Sequence, residues 1–194
     1  MTAVSGKAIR QRGRPRSDLS RQAILQATLD LIREVGYRNT TIEAIAARAG
    51  AGKQTIYRWW PGKPDLVLDA VTADAAREIP VPDTGELRAD LTTFLTATFA
   101  AARRPGVQDQ LRALMAEAQL DPDFGAAFDE RFLRARREAL ASLLRQHPDE
   151  LRVPVTTAVH TVFGLLWYRV LTRQGRLDAT LTRELLTLLV KDDQ

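Results

Sequence analysis

The 194-residue chain is 45% hydrophobic, which is enough apolar side chain for a sizeable core, and it contains no cysteine. Disulfides and thiolate metal sites are therefore excluded, and a reducing cytoplasm fits this composition. The net charge of +4 is uneven, because residues 1–60 hold 11 basic and 4 acidic side chains whereas the remainder holds 17 and 20. This asymmetry suggests that only the N-terminal region meets a polyanion, although a solvated charged face would have the same composition.

The N-terminal segment, residues 1–16, is polar and is predicted to form a flexible basic arm. It has no apolar stretch of the kind found in signal peptides. Its RGRPR sequence resembles the core of an AT-hook, whose arginines enter the narrow minor groove of A·T-rich DNA. Arg14 and Arg16 are therefore candidate DNA contacts. The alternative is a mobile tail that adds only non-specific attraction.

Four helices are predicted after the arm. The first begins near residues 17–20 and ends at Gly36, since glycine is typical just beyond a helix C-terminus. The second begins with TTIE, where Thr40 and Glu43 fit a capping box. The sequence AGAG then leads into a short helix over about 53–60, and the fourth helix starts near Pro64, a residue suited to a first turn.

Two short helices joined by a glycine turn, the second basic and aromatic, indicate a helix-turn-helix, in which the second helix enters the DNA major groove. A corner in any helical bundle is the alternative. The stretch TIEAIAARAGAGKQTIYRWWPGKPDLV resembles the DNA-binding signature of the TetR family of transcriptional regulators, over roughly residues 21–70. The matching positions are Thr41, Ile45, Ala46, Ala49, Gly50, Thr55, Ile56, Tyr57, Trp60 and Lys63. Gly52 departs from the pattern, since the family often has a capping Ser or Thr there.

The helical period assigns two faces to the helix over 53–60. At about 100° per residue, Ile56 and Trp60 point to one side and Gln54 and Arg58 point to nearly the opposite side. We expect the first pair to be core and the second pair to meet the groove. Gln can read adenine and Arg can read guanine through paired hydrogen bonds.

Further candidate DNA contacts flank that face or lie beside it. They are Thr40, Thr41, Lys53, Thr55, Tyr57, Trp59 and Lys63. Hydroxyl and indole N–H groups suit phosphate oxygens, which position a protein without specifying a base. The family resemblance implies a DNA-backbone contact for Lys63. For Trp59, packing on the first helix and contact with phosphate are both open.

Beyond the linker IPVPDTG, helices are predicted over about 86–104, 107–120, 122–146, 155–173 and 180–190. The chain is therefore predicted to be all-α, with about nine helices, a helix-turn-helix domain at 17–63 and an effector-binding and dimerisation domain at 64–194. The two histidines, His147 and His160, have no cysteine partner, and no phosphate-binding glycine motif or nucleophile motif is present. We predict no enzyme activity, no metal and no cofactor.

The family resemblance implies a cavity for a small effector in this second domain. Candidate lining residues are Phe94, Leu95, Phe99, Leu114, Met115, Phe128 and Phe132, although each position equally suits plain core. Because few buried charges are evident, we expect an apolar or weakly polar effector.

The resemblance also implies dimerisation through the last two helices. Candidate interface residues are Val159, Phe163, Leu166, Val170, Leu185 and Leu189. A twofold dimer would present two recognition helices to a palindromic site. The sequence thus predicts a cytoplasmic homodimeric regulator of double-stranded DNA, a repressor released by its effector, with no membrane segment. An activator, or an all-α ligand-binding or protein-interaction module that does not use DNA, is the alternative.

Overall fold

A computed structural model describes residues 14–192, with side chains from residue 18 onward. The all-α prediction is confirmed, since this part of the chain forms ten α-helical segments. Their bounds are α1 Arg14–Asn39, α2 Ile42–Ala49, α3 Lys53–Trp59, α4 Lys63–Glu78, α5 Leu87–Arg103, α6 Val107–Leu120, α7 Pro122–Phe128, α8 Arg134–Arg145, α9 Val155–Thr172 and α10 Ala179–Leu189. Within residues 14–192 every helix is too short or too polar to cross a membrane.

The N-terminal arm is shorter than predicted, because α1 already begins at Arg14. Residues 1–13 lie outside the described part of the chain, as do the side chains of Arg14 and Arg16. Gly36 interrupts α1 near its end with a φ of 81°, a left-handed conformation that glycine adopts at little cost.

The start of α2 differs from the predicted capping box by one residue. Thr41, not Thr40, is the cap, and its hydroxyl accepts a hydrogen bond from the Ala44 amide at 3.1 Å. The Thr40 hydroxyl instead donates to the Gly36 carbonyl at 2.8 Å, the bond to the fourth preceding residue that helical threonines commonly make. Glu43, which the capping box would have used, pairs with Lys53 at 2.8 Å.

The turn between α2 and α3 depends on Gly50. Its φ of 61° is left-handed, and its amide donates to the carbonyls of Ala46 and Ala47, which closes the end of α2. Three residues later α3 begins, with no side-chain cap from Gly52. This close spacing fixes the crossing of α2 and α3 that defines the helix-turn-helix.

The first four helices share a core in which Ile24, Ile45, Ile56 and Leu66, one from each helix, are fully buried. The remaining helices form the body of the molecule. The segment predicted as one helix over 122–146 is interrupted by a π-helical turn, Asp129–Leu133, between α7 and α8. A π-helical turn adds a residue to one turn and is frequent at functional sites.

The first four helices rest on the body through the end of α1. The Tyr37 ring lies 5.0 Å from the Phe124 ring of α7, and Arg38 pairs with Glu117 of α6 at 2.9 Å. The helix-turn-helix is therefore joined to the body by packed contacts as well as by the chain itself.

Candidate nucleic-acid interface and effector cavity

The two predicted faces of α3 are confirmed. Ile56 is 0% exposed and Trp60, just beyond the helix, is 4% exposed. Gln54 and Arg58 are exposed, and Tyr57 beside them is 52% exposed. The outward face of α3 therefore presents hydrogen-bonding and cationic groups that could enter a groove, and their contact with DNA stays a prediction.

Trp60 anchors the end of α3 to two other helices. Its indole Nε1 donates to Asp69 Oδ2 of α4 at 2.9 Å, and Arg21 of α1 donates to the same oxygen. The Arg21 guanidinium also lies 5.7 Å from the Trp60 ring centre. Asp69, which the sequence did not single out, thus connects α1, α3 and α4 and sets the position of the recognition helix.

Trp59 is half-buried and packs against Trp60 and the core of the first four helices. The two rings meet edge to face, with centres 5.5 Å apart and planes at 90°. The Arg58 guanidinium lies 5.4 Å from the Trp59 ring centre. Trp59 therefore supports Arg58 through a cation–π contact, and its own contact with phosphate stays a prediction.

Lys53 and Thr41 remain accessible on the same surface. Lys53 Nζ donates to Glu43 at 2.8 Å, and this hydrogen bond lowers the pKa of Glu43 and raises the pKa of Lys53. Exposed pairs of this kind are weak and screened by salt, so a DNA phosphate can replace the Glu43 carboxylate. The exposed Thr41 hydroxyl accepts from Ala44 and still has its proton to donate. Thr55 is half-buried.

Two predicted DNA contacts are turned into the protein in this structure. Thr40 is 1% exposed. Lys63 Nζ donates to the Tyr37 carbonyl at 3.1 Å and lies 4.3 Å from the Tyr37 ring centre. Burial lowers the pKa of Lys63. Both residues thus stabilise the junction of α1 with its neighbours, and Lys63 must leave that carbonyl to reach a phosphate.

A cavity of about 390 Å³ lies in the body, among α4, α5, α6, α8 and α9. Of the predicted lining residues, Met115 and Phe132 line it. The others are 0–1% exposed in the core and do not line it, namely Phe94, Leu95, Phe99, Leu114 and Phe128. They differ from the prediction because neighbouring side chains fill the space opposite them.

The six residues predicted for the dimer interface are buried within their own subunit, at 1–9% exposure. Phe163 and Leu166 line the cavity instead of an outer surface. The same two helices expose other apolar residues, among them Tyr168 and Leu171 on α9 and Leu188 on α10.

The cavity wall carries more charge than the sequence suggested, since Asp74, Arg104, Arg136 and Arg137 all line it. Asp74 is 7% exposed, and it accepts from Arg77 at 2.7 Å and also from Arg104. Few charged residues are fully buried, as expected, but Asp74 is one of them and the partly buried arginines of the wall accompany it. A signal was present, because Asp74 follows Val67 and Val71 at core spacing, and Arg136 stands four residues from both Phe132 and Leu140.

One side chain of α1 touches the cavity wall directly. Arg33 Nε donates to Gln110 Oε1 of α6 at 3.1 Å, and Arg33 Nη2 lies 3.6 Å from Asp74 of α4. Gly106, in the left-handed region at φ 75°, packs on the Arg33 stem so closely that a Cβ there would lie 3.1 Å from it. Gln110 and Asp74 both line the cavity, so α1 contacts two of its walls.

Both the helix-turn-helix region and the body match known protein families. Residues 24–70 match the family described as bacterial regulatory proteins, tetR family. Residues 81–189, more than half of the chain, match the domain described as tetracyclin repressor-like, C-terminal domain.

Individual relatives agree. The chain is 33% identical over 181 residues to the uncharacterized HTH-type transcriptional regulator YdeS of Bacillus subtilis, covering 90% of each protein. It is 34% identical over 133 residues to the DNA-binding transcriptional repressor TetR of Mycobacteroides abscessus, covering 68% of this chain and 61% of that protein. The crystal structure of the TetR family transcription regulator SCO0332 is 30% identical, with a TM-score of 0.73 over 87% of this chain and 94% of that one.

These relatives are regulators of transcription, which points away from an enzyme. The resemblance predicted from residues 21–70 is confirmed and extends over most of the chain. The chain belongs to the TetR family of DNA-binding transcriptional regulators.

Proposed function

We propose that the protein is a cytoplasmic homodimeric repressor that a small molecule releases from a palindromic DNA site. Repression is supported by the similar protein of Mycobacteroides abscessus, which is named a DNA-binding transcriptional repressor. The observation that carries the release step is the position of Arg33, which connects α1 of the helix-turn-helix to two walls of the cavity.

The release step follows from what Arg33 touches. A ligand in the cavity contacts the layer that contains Asp74 and Gln110, and Arg33 is bonded to both. If a ligand displaces Asp74 or Gln110, Arg33 and therefore α1 lose or change their contacts with the body. Because α1 shares a buried core with the two helices of the helix-turn-helix, this change can reach the DNA-binding surface. The ligand shifts the protein away from its DNA-binding form only by as much as it prefers the other form.

The DNA-binding form uses the outward face of α3. Gln54 and Arg58 read base edges, and Trp59 holds Arg58 in position. Contacts with phosphate position the helix, from Thr41, Lys53, Thr55 and Tyr57, with Lys63 after it leaves the Tyr37 carbonyl. Arg14 and Arg16, at the start of α1, add minor-groove contacts.

The dimer uses the outer faces of α9 and α10. Tyr168, Leu171 and Leu188 are 46–55% exposed, and half-buried Leu165 lies about one turn before Tyr168 on the same helix. Large apolar side chains exposed together are typical of a protein interface. Other residues of α9, among them Phe163 and Leu166, line the cavity, so one helix contacts both the ligand site and the partner subunit in this proposal.

Selection of bound sequences from a random pool of duplex DNA tests the DNA-binding part. We expect an inverted repeat whose half-sites are centred about 34–36 Å apart, one DNA turn. Affinity for that site should fall steeply as salt rises, because phosphate contacts release counterions. Selection of an asymmetric sequence would contradict the dimer, and absence of duplex binding at low salt would contradict DNA recognition.

A displacement assay on the selected DNA tests the release step. Fluorescence anisotropy identifies compounds from a diverse library that release the wild-type protein. Arg33→Met keeps the apolar stem and removes both cavity contacts, so we expect unchanged DNA affinity and a release response weakened at least about tenfold. The matched control is Arg38→Met, since Arg38 lies on the same helix but pairs with Glu117, which does not line the cavity. Equal responses in both variants would contradict the role of Arg33.

A further inference from the structure

Two side-chain polar groups in the described part of the chain are buried without any hydrogen-bond partner, Thr98 Oγ1 and Arg136 Nη2. Both residues line the same cavity, although they come from different helices, α5 and α8. A buried donor without a partner is costly, and folded proteins leave few of them. Their convergence on one cavity gives that cavity two unused hydrogen-bond donors.

The neighbours of Arg136 show that its lack of a partner is specific. Arg137, the next residue and also in the cavity wall, pairs with Asp129 at 2.6 Å. Arg104 pairs with Asp74, and Arg33 and Arg77 contact that carboxylate as well. Among the described residues that line the cavity, there is no other carboxylate for Arg136.

The Arg136 guanidinium is nevertheless held in place. It lies 5.4 Å from the centre of the fully buried Phe94 ring. Burial lowers the pKa of Arg136, with no nearby carboxylate acting in the opposite direction. An arginine stays protonated even so, so a positive charge that has already lost much of its hydration faces the cavity.

The lack of a partner for Thr98 contrasts with two other threonines of its helix, Thr92 and Thr93. Thr92 and Thr93 donate their hydroxyl protons to the carbonyls of Arg88 and Ala89, four residues earlier, at 2.6 and 3.0 Å. This is the usual bond of a helical threonine. Thr98 Oγ1 makes no such bond, so its proton is available to an acceptor in the cavity.

Besides the paired charges, the wall contains the polar residues Gln110 and His160. Most of the remaining lining is apolar, with Leu111, Met115, Phe132, Phe163, Leu166 and Trp167. The guanidinium fork suits a planar carboxylate, and one unpaired positive charge balances one negative charge. A doubly charged phosphate would leave a charge unbalanced in an apolar space. The volume of about 390 Å³ is within the range of small-molecule sites.

We propose that the effector is an amphipathic monocarboxylate, with its carboxylate bound by Arg136 and Thr98 and its apolar body lying against Phe132, Phe163 and Trp167. This rests on the proposed function insofar as the cavity is the effector site. It replaces the expectation of an apolar effector with an organic anion of defined orientation.

Calorimetry on the full-length protein tests the site without DNA. The probes are two acids and their uncharged amides, decanoate with decanamide and phenylbutyrate with phenylbutanamide. In at least one pair we expect the acid to bind about tenfold or more tightly than the amide. Arg136→Met should abolish that preference and Thr98→Val should reduce it. Arg145→Met should keep it, because Arg145 lies on the same helix but pairs with Glu138 outside the cavity. The proposal is overturned if neither pair shows a preference or if Arg136→Met keeps one.

The ligand-free variants give a second readout that does not depend on the probe. Arg136→Met removes an unpaired buried charge, so its melting temperature should equal or exceed that of the wild type. Arg137→Met loses the pair with Asp129 and should melt at or below the wild type. A large drop in melting temperature for Arg136→Met alone would show that the guanidinium has a structural partner and would overturn the proposal.

Release from DNA is then measured separately with the acid that binds. Release that Arg136→Met abolishes supports both the anion site and its role as effector site. Tight, Arg136-dependent binding without release leaves the anion site standing and contradicts ligand-released repression. If every compound that releases the protein is uncharged and acts equally on Arg136→Met, release stands and the carboxylate proposal is overturned.

Discussion

The recognition helix and the cavity each present an arginine beside an aromatic ring, in opposite surroundings. Arg58 is exposed, with its guanidinium 5.4 Å from the Trp59 ring centre. Arg136 lies at the same distance from the Phe94 ring, but its Nη2 is fully buried. In both regions an aromatic side chain fixes the direction of a positive charge.

The difference in burial determines which anion each charge suits. An exposed arginine keeps its hydration, and its attraction to DNA is screened by salt and shared with many other contacts. A buried arginine is screened much less, so a single small anion can gain from it. The first four helices, α1 to α4, form the head of the molecule, and DNA binding by the head depends on many exposed charges on a rigid helix. Anion binding in the cavity depends on one unpaired charge. Rigidity in the head and charge balance in the body can be tested separately.

The largest expected loss of stability follows a change on the buried side of α3. Trp60→Ala removes a large buried ring and the hydrogen bond to Asp69, and should lower the free energy of unfolding of the head by about 3–5 kcal/mol. Urea unfolding followed by circular dichroism measures this. Trp59→Ala is the matched control, because Trp59 is only half-buried and should cost clearly less. Unchanged melting of Trp60→Ala would contradict its role as the anchor.

A smaller loss of stability is expected when the charge of Asp74, which connects α1 to the cavity wall, is removed. Asp74→Asn keeps the shape of the side chain but removes the charge that Arg33, Arg77 and Arg104 share, so unfolding should become easier by about 2–3 kcal/mol. Asp109→Asn is the control, since Asp109 is largely exposed beside Arg112 and should cost less than about 1 kcal/mol. If thermal unfolding shows equal losses of stability in Asp74→Asn and Asp109→Asn, the Asp74 contacts contribute no more than an ordinary surface pair.

On the exposed side of α3 the effect should fall on binding and leave folding unchanged. Arg58→Ala should weaken binding to the selected DNA by about 1–3 kcal/mol and relax specificity at one base pair, if Arg58 reads a guanine. Its melting temperature should not change, because the side chain is exposed. Gel shifts on the selected site and on single-base variants measure both effects. Equal loss on every sequence would reassign Arg58 to a phosphate.

Local patterns allowed much of the fold to be predicted. Glycine and proline breaks gave a helix over 107–120 that agrees with α6, and the helical period separated Ile56 from Arg58 on α3. These features depend on residues close together in the chain. The cap of α2 was misplaced because Thr40 and Thr41 are both suitable residues, and the kink at Gly36 decides between them.

The cavity could not be located in the same way. The helical period shows that a residue such as Phe99 or Phe132 faces inward, but not whether another side chain or an empty space lies opposite. Phe99 is packed in the core, whereas Phe132, in the π-helical turn, lines the cavity. For Arg136, the sequence shows only a charge at a core position, and the lack of a partner requires the tertiary structure.

The smallest effect is expected at Tyr37, where the head meets the body. Burial, then Glu117 and Asp121 of the body, raise the pKa of Tyr37 to about 12, above its ordinary value of 10.0. Between these values the unfolded chain has released the phenol proton and the folded protein has not, so stability is lost as pH rises. Tyr37→Phe keeps the aromatic ring but has no phenol to ionise. At about pH 11 the variant should therefore have lost about 1 kcal/mol less of its free energy of unfolding than the wild type. Near neutral pH the substitution should change stability little. Urea unfolding of both proteins across this pH range measures it. A parallel fall in both would show that Tyr37 ionises as if in water, and that the head does not bury it against the body.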